Sequence, residues 1–403
     1  MAATDKDAPF PPCTGKHGAA AEGRGEGAVL SALMHAALAL PILVVPPRAG
    51  AAELGEVGVA VFGYKERGLM KVTEPIVWGK GRIGEDWEVA ASAAVDIVTG
   101  ASPQLVSNRT GTPVQTITGA SIDDRRNTWD AKVSRRFGEG TVSVSRTVSR
   151  EEDYISHAFG VEARYDLNQR NTTLVAGFGR SNDRVRSSDD PLLDQGRRTR
   201  EYLVGVTQVI SQLAAVQSTL TATRGEGYYN DPYKITFTFF PPGQGLPLLT
   251  ADKRPSRRDT LAWLTRYRQH FPTAGGTLQA DYRFYRDDWG VRAHTLESAW
   301  QHSFGDRWSI RPALRYYTQA AADFYSPTVS RPEPAAHSSD QRLAAFGGLS
   351  PSLKLIARFE GGTTVEATAG YMHNSRSLSA GGGSPSFETL RAYYGIVSIA
   401  HEF

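Results

Sequence analysis

RAYYGIVSIAHEF, residues 391–403, ends the chain, and its reading decides the fold. Counting back in twos gives Phe403, His401, Ile399, Val397, Gly395 and Tyr393, a largely apolar set with aromatics near both ends. The other parity gives Glu402, Ala400, Ser398, Ile396, Tyr394 and Ala392, which is mixed and more polar. A period of two with one apolar face is a β-strand with different media on its two sides. A lipid-facing side and a lumen side satisfy it. The edge strand of a soluble β-protein is the competing reading of this stretch taken alone.

Working back from the terminus, the same unit recurs from Leu54 onward. About ten alternating residues, a tight Gly/Asp/Asn turn, about ten more and then a longer polar connection form an up-and-down hairpin array. Trp87, Val89, Ala91, Ala93, Val95 and Ile97 alternate with Glu88, Ala90, Ser92, Ala94 and Asp96. Further strands are expected at Asn127–Phe137, Thr141–Arg150, Ser156–Leu167, Thr172–Asp183, Thr199–Ser211 and Ala215–Gly227. Beyond these come Asp259–Phe271, Thr277–Arg286, Gly290–Phe304, Trp308–Gln319, Arg342–Phe359 and Thr363–His373. Met70–Trp78 holds Pro75, expected at a bulge, and Pro351 with Gly347-Gly348 threatens to split Arg342–Phe359. Thr99–Asp124, Arg184–Arg198 and Tyr228–Arg257 read as loops. The turns GEGT, LNQRN, FGDR and EGGT are tight, whereas several alternate connections are long, which is the asymmetry of membrane barrels. The fold expected is all-β, a transmembrane up-and-down antiparallel barrel of about sixteen strands. A terminal Phe closing such a strand resembles the signal that directs outer-membrane barrels to their assembly machinery, although His401 stands where an aromatic such as Tyr is more usual.

Composition agrees. The 403 residues are 40% hydrophobic, and the 45 basic and 42 acidic side chains leave a net charge of only +3. That near balance argues against nucleic acid as a partner, which needs a concentrated basic face. The single cysteine, Cys13, excludes both a disulfide framework and a cysteine-based metal site. No run of 18 apolar residues follows residue 52, so a helical span is not expected in the body. Val29–Val45 is an apolar run followed by Ala49-Gly50-Ala51, a small-x-small cleavage site. Residues 1–52 therefore read as an export signal with an upstream extension, cleaved near Ala51, and residues 53–403 as the barrel. The n-region is weakly basic and long, with Arg24 followed by Glu26.

Strand parity places charges inside. Arg266, Arg268 and His270 share the polar face of one strand, Asp281 and Arg283 that of the next, and Arg311 and Arg315 another; Glu297 joins them. Leu278, Tyr282, Phe284, Trp308, Ile310 and Leu314 take the lipid side. Charges facing lipid are costly, so these turn inward. An arginine-rich lumen suits anionic or polar solutes; a ladder of Arg–carboxylate pairs that braces the wall explains the same residues. Asp123-Asp124-Arg125 and the carboxylates Asp231, Asp287, Asp288 and Asp323 fall together at the outer rim. They present a candidate site for a hard cation or a substrate, although loop capping uses the same residues. His302 beside Ser298 lacks the orienting third group of a hydrolase. No metal ligand set and no cofactor are expected.

These segments carry a family resemblance. EEDYIS (151–156), GVTQVIS (205–211), GYYNDPYK (227–234), KRPSRR (253–258), YRDDWGVRAHTLE (285–297) and RPALRYYTQAAADFY (311–325) resemble an uncharacterised Gram-negative family of exported, presumed outer-membrane barrels, a domain of unknown function. The resemblance implies the fold and an outer-membrane location, with lipid and the assembly machinery as partners. It supplies no substrate. The function expected is a non-enzymatic, porin-like channel or an envelope scaffold. A barrel enzyme or ligand-binding barrel using the rim carboxylates is one alternative, and a sheath around an electron-transfer partner is another.

Overall fold

A computed structural model describes residues 55–67, 69–100, 103–107, 114–117, 122–239 and 248–403. In chain order its strands begin with β1 (Glu56–Glu66), β2 (Met70–Ile83), β3 (Trp87–Gly100), the short β4 (Pro103–Ser107) and β5 (Val114–Ile117), β6 (Ile122–Phe137) and β7 (Gly140–Arg150). Next come β8 (Tyr154–Leu167), β9 (Thr172–Arg186), β10 (Asp194–Ser211), β11 (Ala214–Gly227), and the short β12 (Ile235–Phe239) and β13 (Leu248–Ala251). The series ends with β14 (Arg257–Phe271), β15 (Gly276–Asp287), β16 (Arg292–Phe304), β17 (Trp308–Gln319), the short β18 (Thr328–Ser330), β19 (Phe346–Phe359), β20 (Thr363–Ser375) and β21 (Leu390–Glu402). Sixteen of them close into one antiparallel barrel, and the five short ones lie in connections. The last strand completes the ring: Glu56 pairs with Glu402 and Glu66 with Ala392 along an unbroken β1–β21 register. Closure leaves no unpaired edge, which a strand facing hydrocarbon cannot tolerate.

Alternation sets the two faces. Val57, Val59 and Val61 are about half exposed on the outer wall, while Ala60 between them is buried on the lumen side. The turns after β2, β6, β8, β10, β14, β16 and β19 are tight and lie at the end where the barrel strands begin and finish. The opposite rim carries the long connections 228–256, 320–345 and 376–389.

Several expectations change. Pro75 stays in β2 opposite Val61 with no bulge. Pairing to β3 merely lapses from Thr73–Ile97 to Ile76–Ala94 while the register holds. Pro351 behaves alike, lapsing between Leu349–His373 and Ser352–Gly370, so β19 remains one strand. A proline removes one ladder donor, and sixteen strands absorb that locally. Arg342 is not in that strand; it belongs to a 3-10 turn, Gln341–Leu343. Gly290 precedes its strand, which starts at Arg292. The charged stretch 184–198 is mostly strand, with only residues 187–193 left as the connection. The loop from Thr99 instead holds the small β4–β5 hairpin, and β6 begins at Ile122. The export-signal residues, Cys13 and the side chains of Asp123 and Asp124 lie outside the described residues.

A basic chamber beneath an outer cap

The lumen wall differs around the ring. On β3 to β11 several of its charged groups are buried and paired. Asp183 receives Nε of Arg197 at 3.2 Å and the Ser156 hydroxyl at 2.7 Å, and Arg197 donates through Nη2 to the Tyr154 hydroxyl at 2.7 Å. Glu162 takes Arg164 at 3.0 Å and Lys132 at 3.7 Å, and Asp96 holds Arg126. Desolvated ions on a wall need such partners.

On β14 to β20, in the half nearer the tight turns, the wall opens into a cavity of about 780 Å³. Arg266, Arg268, Arg311, Lys354 and Arg358 line it, against Asp281 and Glu297. Asp281 takes both Arg268 and, at 3.6 Å, Arg266; Lys354 is bound to Glu366 at 2.6 Å. The hydrogen bonds of the other two arginines go to neutral groups. Arg311 donates to Gln279 Oε1 at 3.5 Å, and Arg358 donates to Ser309 Oγ at 3.4 Å. Five cations thus meet three carboxylates even when Glu366 is included. The candidates Arg266, Arg268, Asp281, Glu297 and Arg311 all meet in this cavity. Arg315 lies opposite Glu297 in register, its guanidinium 6.0 Å from the Tyr317 ring. Arg283 belongs to a second, smaller cavity of about 270 Å³ nearer the outer rim.

Arg342 and Leu343, from the connection 320–345, line that upper cavity too. They form part of a cap. Tyr229, Trp289, Val291, Ala322 and Leu343 make a buried apolar cluster, with Tyr285, Phe324 and Tyr325 against it. Trp289 meets Tyr229 and Phe324 edge-on at 5.4 and 5.2 Å. The connections 228–256 and 320–345 interlock through a three-stranded sheet in which β12 runs parallel to β18. Its ionic centre is Asp340. That carboxylate accepts Nε of Arg342 at 2.8 Å and Nη2 of Arg254 at 3.1 Å. Arg254 also donates to Asp252 at 2.6 Å, and Arg342 reaches Asp231 at 2.9 Å. Burial pushes the Asp340 carboxyl up, but Arg342, Lys234 and Arg254 together outweigh it and hold the group well below the usual carboxylate range. Burial lowers the Lys234 ammonium against the pull of Asp340. The cap is also tied to the far side of the mouth: Tyr233 donates to Asp153 at 2.7 Å and accepts the Ser188 N–H at 3.0 Å. Burial, aided by Asp153, pushes the Tyr233 phenol up to about 12.

The rim carboxylates do not converge on a cation. Asp231 serves Arg342. Asp287 accepts Arg258 at 2.8 Å and the N–H groups of Trp289 and Val291. Asp288 accepts the Asp259 N–H at 2.9 Å. Asp323 packs against Gly290, whose φ of +89° and missing Cβ make the space. Among the described residues no group of three His, Cys, Asp or Glu is arranged to hold a metal ion. His302 lies against Phe304, with ring centroids 4.6 Å apart. The alternation reading missed Arg358 and Lys354, whose strand it left uncertain, and the Asp340 centre, whose partners lie far apart in sequence.

Comparison with known proteins places this architecture. The structure is similar to CdiB from Acinetobacter baumannii, with TM-score 0.51 at 7% identity over 87% of this chain and 61% of that one. It also matches a bacterial polysaccharide outer membrane secretin, with TM-score 0.49 at 9% identity over 88% of this chain and 100% of that one. The siderophore receptor PirA from Pseudomonas aeruginosa gives TM-score 0.45 at 10% identity over 87% of this chain and 62% of that one. The chain thus spans about three fifths of CdiB and PirA. No curated protein matches the sequence. Residues 30–193 and 189–386 match the family described as "Protein of unknown function (DUF3570)", and the chain belongs to that family, with the fold of an outer-membrane β-barrel.

Proposed function

We propose that the protein is a non-enzymatic channel of the outer membrane for small anionic or polar solutes, with the cap setting entry from the outer rim. The excess of positive charge in the lower cavity carries this reading. Arg311 and Arg358 face space with neutral hydrogen-bond partners, so their charge is available to a passing anion. Replacing both with glutamate changes the local charge by four units. The current of the refolded protein should then turn from anion- to cation-preferring in a salt gradient. Unchanged selectivity in the Arg311→Glu/Arg358→Glu variant would remove the cavity from the permeation path.

The location follows the same reading. Phe403 donates its N–H to Gly55 at 3.1 Å and stands beside His401 on the outer wall. Its packing is modest, so we read it as part of the signal for assembly. Deleting Phe403 should lower heat-modifiable protein in the outer membrane while detergent refolding survives. Normal cellular levels would contradict this.

A further inference from the structure

On the outer wall of β9 and β10, Arg200 stands directly opposite Arg180 on one side and, across to β11, directly opposite Arg224 on the other. All three are exposed. Like charges directly opposite across strands repel. Arg224 has a partner of its own, Glu226 at 3.1 Å. Arg180 donates through Nη2 to the side-chain Oδ1 of Asn182 at 3.4 Å. Among the described residues no carboxylate lies within ion-pair distance of Arg180 or Arg200. One step outward, Arg198 extends the row between Asn182 and Glu226. The chain therefore concentrates guanidinium groups on an outward face and supplies Glu226 at one end of the row but no carboxylate at Arg180 or Arg200.

Height fixes what meets them. One step toward the tight turns, Phe178 and Tyr202 are cross-strand partners, with rings 5.4 Å apart and both exposed. Aromatic girdles of this kind mark the edge of the hydrocarbon. Arg180 is the ninth residue of β9, and Arg200 the twelfth counted back from Ser211. A tilted strand crosses the hydrocarbon in about 9–11 residues. The arginines thus sit at the headgroup level of the leaflet on the capped rim. We infer that the Arg180–Arg200 row binds the phosphate groups of lipid headgroups in that leaflet. Planar guanidinium forks match phosphate oxygens two by two, and a phosphate over the row turns the Arg180–Arg200 repulsion into shared attraction.

The test uses the refolded full chain in micelles doped with lipid A bearing two phosphates, with retention read by native mass spectrometry. Wild type should hold this lipid at least tenfold better than Arg180→Gln/Arg200→Gln, and at least tenfold better than it holds the dephosphorylated lipid. Heat-modifiable migration reports folding of the double variant; should it not fold, Arg200→Gln alone carries the comparison. Equal retention by variant and wild type, or indifference to the lipid's phosphates, overturns the inference. Binding of inorganic phosphate with no added retention of the phosphorylated lipid assigns the row to a free anion and overturns the lipid reading as well. None of these outcomes depends on conductance.

Discussion

The lower cavity and the cap use the same side chains to opposite ends. In the cap every described carboxylate of the Asp340 centre has an arginine, and Asp340 itself has two. In the cavity Asp281 is shared by two arginines, while Arg311 and Arg358 make do with an amide and a hydroxyl. Partner supply, and not residue type, separates a brace from a surface that attracts ions. Burial follows the same line. The Arg254 side chain is 4% exposed and Asp340 is buried. A charge so far out of water persists only while its partner remains.

The most disruptive way to break the contrast is Asp340→Ala. It leaves Arg254 and Arg342 together with only Asp252 and Asp231 to answer them. Removing one partner of a buried pair costs about 3–5 kcal/mol, enough to release loops that the barrel does not need. Single-channel conductance should rise several-fold, with unchanged heat-modifiability. Acid should reach the same state reversibly. Because the folded Asp340 pKa is depressed, its contribution is complete above the ordinary carboxylate value of about 3.9 and is lost as pH falls further. Asp252, pushed up by burial, runs the other way and gains on protonation. Channel opening is therefore expected only below about pH 4, where the Asp340 contribution begins to be lost. The smallest effect belongs to Tyr233→Phe, which removes the hydrogen bonds to Asp153 and Ser188. It should loosen the cap by about 1–2 kcal/mol, seen as faster hydrogen exchange at residues 231–239 with little change in current.

Much of the barrel was legible because the hydrocarbon imposes a period of two on any strand that crosses it. Trp308–Gln319 could be bounded from alternation alone, and the cavity charges Arg266 and Arg268 on β14, Asp281 on β15 and Arg311 on β17 could be placed on the lumen face. The pattern fades where its cause ends. Residues 194–198, the outward end of β10, carry polar and charged side chains without apolar alternation, and that part of the strand reads as loop. Prolines misled for a related reason: Pro75 and Pro351 cost one donor each, and the neighbouring pairs hold the register. The cap was least legible. Its ion pairs join Asp231 to Arg342 and Arg254 to Asp340, separations no local pattern encodes. The rim carboxylates were visible as a group, but their arginines were not, which is why a cation site looked open there.

The proposed path prefers anions, and the cap narrows it. This is tested most directly by the reversal potential of wild type and Asp340→Ala in planar bilayers under a potassium chloride gradient. A reversal potential of chloride sign is expected in both proteins, with the larger current in the variant. A potassium-signed potential, or no current even after the cap is released, would contradict it.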